Sequence, residues 1–207
     1  EAQFAFDLGG EHAWHARQED GELTLSVLNA RPDLPATPDL EAPEGSPIAL
    51  NLQAADIDQG QEISVELRGA PAGAVFNQAT GAFLWTPAES QGPGVYGLSL
   101  VATDNGQPPL ARTNHFQIEA LEVNQPPTLP SVGPRELDEM TPLVVDVAGA
   151  DSDLPANPLS YKLEDAPANA VLSPSGILTW TPTEAQGPST NTFTVALMDE
   201  SPDAING

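Results

Sequence analysis

Short runs of alternating apolar and polar residues recur along the chain. Apolar or small residues stand at every second position in three clear runs: Ile48-Leu50-Leu52, Ile63-Val65-Leu67 and Tyr96-Leu98-Leu100-Ala102. This period of two is typical of a β-strand with one buried face and one solvated face. Clusters of Pro, Gly, Asn and Asp separate the runs and predict turns. The pattern therefore predicts an all-β chain of short strands, spaced as in a β-sandwich.

The alternating pattern is repeated with a constant offset. Trp85 recurs as Trp180, 95 positions later, and each is followed by Thr-Pro. At the same offset Asp56-Ile-Asp58 recurs as Asp151-Ser-Asp153, and Asp104 recurs as Asp199. A unit of about 95 residues is the usual size of one sandwich domain. The repeat predicts that each Trp is the large core residue of its own domain.

The repeat divides the chain into three parts. Residues 1–36 are interpreted as the closing hairpin of a preceding copy plus a linker, because Glu22–Leu28 aligns with Gln117–Val123. Residues 37–126 form one copy, and residues 127–207 form a second copy without its final strand. The linker from Asn124 to Pro130 is short and Pro-rich, so it is expected to be stiff. Stiff linkers between sandwiches predict a rod-like tandem array.

Composition narrows the possible partners. The 207 residues include 30 Asp and Glu against 6 Lys and Arg, for a net charge of −24 at pH 7. This charge argues against nucleic acid and anionic membranes, which both need Lys and Arg. No apolar run approaches the roughly 20 residues of a membrane helix, so membrane insertion is not expected. The absence of Cys excludes disulfides and Cys-ligated metals, and 22 Pro argue against a helical fold.

A family resemblance follows from one string of motifs that occurs twice. Its first occurrence runs through Glu44, Asp56-Ile-Asp58, Thr80-Gly81, Leu84-Trp-Thr-Pro87 and Asp104-Asn-Gly106 to Asn124-Gln-Pro-Pro127. This string resembles the bacterial cadherin-like repeat of the dystroglycan type, also described as an immunoglobulin-like repeat of large surface proteins. The resemblance covers nearly the whole chain from residue 22. It implies Greek-key sandwiches of seven strands, tandem arrays in secreted or cell-surface proteins, and Ca²⁺ at the domain junctions.

The same resemblance implies two sets of Ca²⁺ ligands. An Asp-x-Asp motif at a strand end presents two carboxylates on one side, and Ca²⁺ takes six to eight oxygen ligands. By resemblance, these pairs converge with a later Asp and with the Asn of the preceding linker. The first set is Asn29, Asp56, Asp58 and Asp104, and the second set is Asn124, Asp151, Asp153 and Asp199. The alternative is that these Asp residues are solvated and only form turns, without binding an ion.

The chain also departs from the cadherin pattern. Glu122 and Gln125 stand where cadherin linkers carry further Asp residues, and Trp-Thr-Pro replaces the acidic pair of the middle of the domain. We therefore expect one cation at each junction rather than a cluster of three. Glu44 and Glu139 are weaker candidate ligands. His12 and His15 are interpreted as solvated residues rather than a metal pair, because no third ligand accompanies them.

These observations favour a non-catalytic, extracellular structural or adhesive module that Ca²⁺ rigidifies. No nucleotide-binding or hydrolase motif is present. Its expected partners are other modules of the same array or other copies of the same protein. One alternative is a filament subunit, in which Glu22–Leu28 completes the open sheet edge of another molecule. A second alternative is a carbohydrate-binding accessory region of a secreted enzyme, in which Trp85 and Trp180 stack on a polysaccharide.

Overall fold

A computed structural model describes residues 14–19, 21–200 and 205–206 of the chain. The chain divides into two compact units. The first unit contains residues 1–87 and 94–120, and the second contains residues 88–93 and 121–207. Within the described part of the chain, no helix is long and apolar enough to cross a membrane. Residues 1–13 and the side chain of His15 are outside the described part of the chain. The prediction for His12 and His15 therefore falls outside the described residues.

The first unit contains a hairpin and a seven-stranded sandwich. The hairpin pairs β1 with β2 in antiparallel fashion. One sandwich sheet has the order β3-β9-β8-β5, and the other has the order β4-β7-β6. The chain crosses from one sheet to the other after β3, β4, β5 and β7, as in a Greek-key sandwich. The strands are β1 (Trp14–Glu19), β2 (Glu22–Val27), β3 (Leu40–Pro43), β4 (Ile48–Asn51), β5 (Ile63–Arg68), β6 (Val75–Asn77), β7 (Ala82–Trp85), β8 (Gly94–Asp104) and β9 (Ala111–Leu121).

The second unit repeats most of this arrangement. A three-stranded sheet has the order β11-β14-β13, and β12 pairs with β15. A short parallel pairing joins β10 to β16. The strands are β10 (Val123–Asn124), β11 (Leu143–Asp146), β12 (Leu159–Asp165), β13 (Val171–Leu172), β14 (Ile177–Trp180), β15 (Thr194–Asp199) and β16 (Ile205–Asn206). Single 3₁₀ turns follow the Trp-Thr-Pro motifs at Glu89–Gln91 and Glu184–Gln186.

Strand register reproduces the sequence offset. Trp85 pairs across the ladder with Ile48, and Trp180 pairs with Leu143, 95 positions further along in both cases. The isolated bridges Asp33–Ala55 and Thr128–Ala150 show the same offset. The repeat seen in the sequence therefore corresponds to one structural unit that occurs twice.

The two Trp residues anchor the cores, as predicted. Trp85 is 2% exposed and Trp180 is 5% exposed. Each ring meets another aromatic ring edge-on, Tyr96 at 4.8 Å and Phe193 at 5.4 Å between centroids. Each indole N–H donates to a loop carbonyl, which satisfies the polar atom that burial would otherwise leave unpaired. The Trp side chains are therefore not available as a surface for stacking sugars.

Gly81 and Gly176 explain why the repeat places a glycine before its core strand. Both lie in the left-handed region, with φ of 69° and 82°. An added Cβ at either position would also overlap a neighbouring segment of backbone, around Gln53 and Ala148 respectively. Only glycine combines this φ with such a close approach.

The observed architecture confirms an all-β, immunoglobulin-like and cadherin-like sandwich fold. The alternating runs predicted from the sequence coincide with β4, β5 and β8, where Leu98, Leu100 and Ala102 are buried. The two compact units do not follow the repeat boundaries of 1–36, 37–126 and 127–207. Those boundaries stay a prediction.

Candidate metal centre

In the second unit, the linker is held by loop acids of the sandwich. The Gln125 N–H donates to both carboxylate oxygens of Asp153, each at 3.1 Å. The Asn124 side-chain amide donates to Asp199 Oδ2 at 3.2 Å. The Asp153 N–H donates to Asp151 Oδ1 at 2.9 Å, so the Asp-x-Asp motif closes its own tight turn. These bonds bring the four residues of the predicted second set together.

The acids of this second set are crowded. Asp151, Asp153 and Asp199 each offer a carboxylate oxygen, and these atoms lie within 4.8 Å of one another. Asp153 is only 1% exposed, and Asp151 Oδ2 is buried without a hydrogen-bond donor. Burial of a carboxylate without a compensating partner is costly. The arrangement therefore leaves negative charge that the protein itself does not neutralise.

Two further acids extend the cluster. Carboxylate oxygens of Glu89 and Glu122 lie within 4.8 Å of each other. Glu122 is 7% exposed, and neither of its carboxylate oxygens has a hydrogen-bond donor. Glu89 Oε1 accepts a hydrogen bond of 3.0 Å from the Leu154 N–H, which places it beside the Asp151–Asp153 loop.

The pKa values of these acids reflect the crowding. Burial raises the pKa of Glu122, and the carboxylates of Glu89 and Asp153 raise it further. Burial also raises the pKa of Asp153. The bond from the Gln125 N–H opposes that rise, and the charges of Asp151, Glu89 and Asp199 add to it. Glu122 and Asp153 therefore ionise less readily than free carboxylates, and a nearby cation would oppose this effect.

In the first unit, the predicted first set is also brought together, but by more donors. The Asn29 amide donates to Asp104 Oδ1 at 3.1 Å, and the Ala30 N–H donates to Asp58 Oδ2 at 2.7 Å. The Asp58 N–H donates to Asp56 Oδ1 at 2.9 Å, which reproduces the turn of the second unit. Asp104 Oδ1 accepts two further backbone bonds, from Gly106 at 3.0 Å and from Leu110 at 2.9 Å.

Asp104 behaves electrostatically unlike Asp153. Burial alone would raise the pKa of Asp104, which is 4% exposed. The hydrogen bonds from Leu110, Asn29 and Gly106 outweigh this effect and hold the pKa below its usual value. Among the described residues, the carboxylates of Asp56, Asp58 and Asp104 do not form a group within the 4.8 Å that the second set satisfies.

Two amide side chains and one acid of the site were missed in the sequence. Gln61 Nε2 donates to Asn29 Oδ1 and Asp58 Oδ2, and Asn157 Nδ2 donates to Asn124 Oδ1 and Asp153 Oδ2. Glu89 recurs as Glu184 at the 95-residue offset, which is a signal that the sequence carries. Gln61 and Asn157 are 96 rather than 95 positions apart, so the offset does not align them.

The oxygen ligands available in the second unit fit a hard divalent cation. Every candidate ligand atom is oxygen, from carboxylates and the Asn124 amide, as Ca²⁺ requires. The buried oxygens without donors, Asp151 Oδ2 and the two oxygens of Glu122, are atoms that a cation would satisfy. Asp56 Oδ2 and Asp104 Oδ2 are similar atoms in the first unit. The weaker candidates differ in their surroundings: Glu44 is buried, and Glu139 packs against Gly187.

Comparison with known proteins agrees with this fold. Residues 27–119 match the family described as Putative Ig domain. A stretch of 78 residues is 31% identical to Cadherin-2 of Gallus gallus, covering 35% of this chain and 8% of that protein. The chain thus spans less than a tenth of the length of this curated relative.

Solved cadherin structures share the fold. Human CDH23 EC21-23 superposes with a TM-score of 0.50 at 18% identity, covering 85% of this chain and 72% of that chain. Drosophila N-cadherin EC1-4 superposes with a TM-score of 0.49 at 20% identity, covering 83% and 46% respectively. Identities this low show the fold alone. The match of residues 27–119 indicates an immunoglobulin-like domain there, and the superposition on human CDH23 shows a cadherin-like fold.

The contrast between the two units predicts opposite pH responses in the presence of a chelator. Because Glu122 and Asp153 have raised pKa values when folded, they stabilise the second unit most below their unfolded values near 4. That contribution is lost as the pH rises through the raised pKa values. Asp104 has a lowered pKa, so its contribution to the first unit is present above about 4 and is lost as the pH falls further.

We therefore expect the free energy of unfolding of the second unit to increase as the pH falls from 7 towards about 4, while that of the first unit stays nearly constant. Denaturant titrations in EDTA, followed through the indole N–H signals of Trp85 and Trp180, measure the two units separately. A parallel change of both units over this range would contradict the electrostatic contrast.

Proposed function

We propose that the chain is a non-catalytic, extracellular structural or adhesive module whose second unit binds Ca²⁺ through Asn124, Asp151, Asp153 and Asp199. One observation carries the proposal: three carboxylates lie within 4.8 Å of one another beside linker residues, and one of their buried oxygens has no donor. Asn29, Asp56, Asp58 and Asp104 are proposed as the corresponding set of the first unit, where the ion is less strongly required. The resemblance to cadherin-like repeats supports Ca²⁺ as the ion.

Binding of the ion would change the linker more than the cores. Asn124 and Gln125 are already bonded to Asp199 and Asp153. A cation shared by these oxygens would add strong electrostatic links and would neutralise the repulsion among the carboxylates. Since the cores are built from Trp180, Leu178 and Val145 and their neighbours, they do not depend on the ion. The expected role of the ion is therefore to fix the linker against the module that it precedes.

The proposed partners are other modules of the same array or other copies of the same protein. The net charge of −24 opposes close approach between copies, and divalent cations would reduce that repulsion. The filament interpretation, with strand exchange through Glu22–Leu28, stays a prediction. The carbohydrate-binding interpretation loses its basis in Trp85 and Trp180, because both rings are buried.

One prediction of the proposed function concerns thermal stability. A ligand that binds only the folded state stabilises it by RT ln(1 + [L]/Kd). With a Kd of about 10⁻⁴ to 10⁻³ M, as in extracellular Ca²⁺ modules, 10 mM Ca²⁺ adds about 1.4 to 2.7 kcal/mol. Calorimetry of the chain in EDTA and in 10 mM Ca²⁺ should show a rise of several degrees in the transition of the second unit.

Asp151→Asn is the variant to compare, because it keeps the side-chain shape and the turn but removes one charge. It should abolish most of the Ca²⁺-dependent rise. Asp146→Asn is a matched control, since Asp146 Oδ1 also closes a turn, accepting from the Ala148 N–H at 2.8 Å, but lies outside the cluster. An equal rise in both variants, or no rise in the unchanged chain, would exclude a Ca²⁺ site here.

Another prediction of the proposed function concerns the linker. If the ion limits the motion of one module against the other, Ca²⁺ should narrow the distribution of dimensions measured by small-angle X-ray scattering. Asp151→Ala with Asp153→Ala should then behave in Ca²⁺ as the unchanged chain behaves in EDTA, with both cores still folded by circular dichroism. Glu136→Ala with Asp138→Ala removes two exposed charges elsewhere and serves as the control. Scattering that is unaffected by Ca²⁺ would refute rigidification.

A further inference from the structure

The Gln61 side-chain amide lies among the oxygens of the first set. Its Nε2 donates to Asn29 Oδ1 at 2.6 Å and to Asp58 Oδ2 at 3.2 Å. One donor group therefore joins the linker oxygen to the Asp-x-Asp loop, which is the connection that a cation would make between the same two ligands. The reverse orientation of the amide would place its carbonyl oxygen against two other oxygens, which is favourable only with a cation between them.

The equivalent amide of the second unit makes weaker contacts. Asn157 Nδ2 lies 3.4 Å from Asn124 Oδ1 and 3.2 Å from Asp153 Oδ2. The distance to the linker oxygen is thus longer than the 2.6 Å of Gln61, and Asn is one methylene shorter than Gln. A hydrogen bond weakens as it lengthens beyond about 3.2 Å.

The acids around the two amides also differ between the units, both in how closely they converge and in how many hydrogen-bond donors they have. In the second unit the three carboxylates of the set converge within 4.8 Å, and Glu122 adds a fourth buried acid nearby. In the first unit Asp104 Oδ1 is satisfied by three N–H donors, from Asn29, Gly106 and Leu110. Hydrogen bonds to a carboxylate are roughly twice as strong as neutral ones. The first set therefore receives more hydrogen bonds from the protein than the second set, although Asp56 Oδ2 and Asp104 Oδ2 still lack donors.

We propose that the Gln61 amide takes the place of the cation in the first unit, so that the first set keeps its arrangement without the ion that the second set requires. This inference rests on the proposed function, because it assigns different cation requirements to its two sets. It makes the linker before the first sandwich permanently fixed and the linker before the second sandwich responsive to Ca²⁺.

Backbone amide exchange in the full 207-residue chain tests this inference. The Ala30 N–H reports on the first set, because it donates to Asp58 Oδ2, and the Gln125 N–H reports on the second set. In EDTA we expect Ala30 to be protected at least about tenfold more than Gln125, relative to their intrinsic exchange rates. Added Ca²⁺ should raise the protection of Gln125 about tenfold or more and leave Ala30 nearly unchanged.

Gln61→Glu keeps the side-chain shape but replaces the donor with an oxygen. In EDTA this variant should lower the protection of Ala30 about tenfold or more, and Ca²⁺ should restore it, since the new carboxylate is an added ligand. Asn157→Asp is the matched control in the second unit, and in EDTA it should change Gln125 much less. A second variant, Gly106→Ala, should lower the protection of Ala30 by another route, because the added Cβ would overlap the Asn29 side chain.

Two results would overturn the inference. One is that Ala30 and Gln125 of the unchanged chain lose protection together in EDTA, a comparison that needs no variant. The other is that Gln61→Glu leaves the protection of Ala30 unchanged in EDTA. If Ca²⁺ fails to protect Gln125, the proposed function fails instead, while the behaviour of Ala30 in EDTA still decides the role of Gln61.

Discussion

Buried carboxylates next to a linker are the constraint on which the rest of the structure depends. Asp104 in the first unit and Asp153 in the second occupy different positions of the repeat, but both lie beside a linker and are almost fully removed from solvent. A buried carboxylate must be neutralised by a donor, a counter-ion or a proton. The chain has six basic residues in all, so basic side chains are too few to supply this charge in every loop. Amide donors, divalent cations and protonation are the remaining means.

The two units meet this constraint in different ways. In the first, backbone N–H groups and the Asn29 amide neutralise Asp104, and Gln61 connects the linker to Asp58. In the second, five acids from the linker and the loops come together with fewer donors. On the proposal above, one repeat yields a site that is closed by hydrogen bonds and a site that an ion would complete. Such a difference between copies would let one protein combine a permanent joint with a Ca²⁺-dependent one.

Much of the fold was predictable because its signals are local and repeated. Trp85 and Trp180 mark the same core position, and Ile48, Leu50 and Leu52 alternate as a half-buried strand must. Seven strands in two sheets followed from the resemblance, and strand order in the first sandwich agrees with it. The Asp and Asn residues predicted as ligands could be named because the 95-residue offset repeats them, and their role as ligands stays a prediction.

The remaining features of the site depend on distances that a sequence does not contain. Glu89 stands far from Asp153 in the chain, and only folding of the strands and turns between them brings their charges together. Gln61 and Asn157 differ in length and are displaced by one residue in the repeat. Their equivalence appears only when both side chains are seen to bridge the same two ligands. The strength of each network follows from tenths of an ångström in these bonds.

Direct binding of Ca²⁺ tests the central claim most simply. Isothermal titration of Ca²⁺ into the chelator-treated chain should show saturable binding with a Kd of about 10⁻⁴ to 10⁻³ M. Asp199→Asn should weaken this binding by about tenfold or more, because it removes one of three converging carboxylates. Absence of saturable binding, or the same Kd in the variant, would contradict the account.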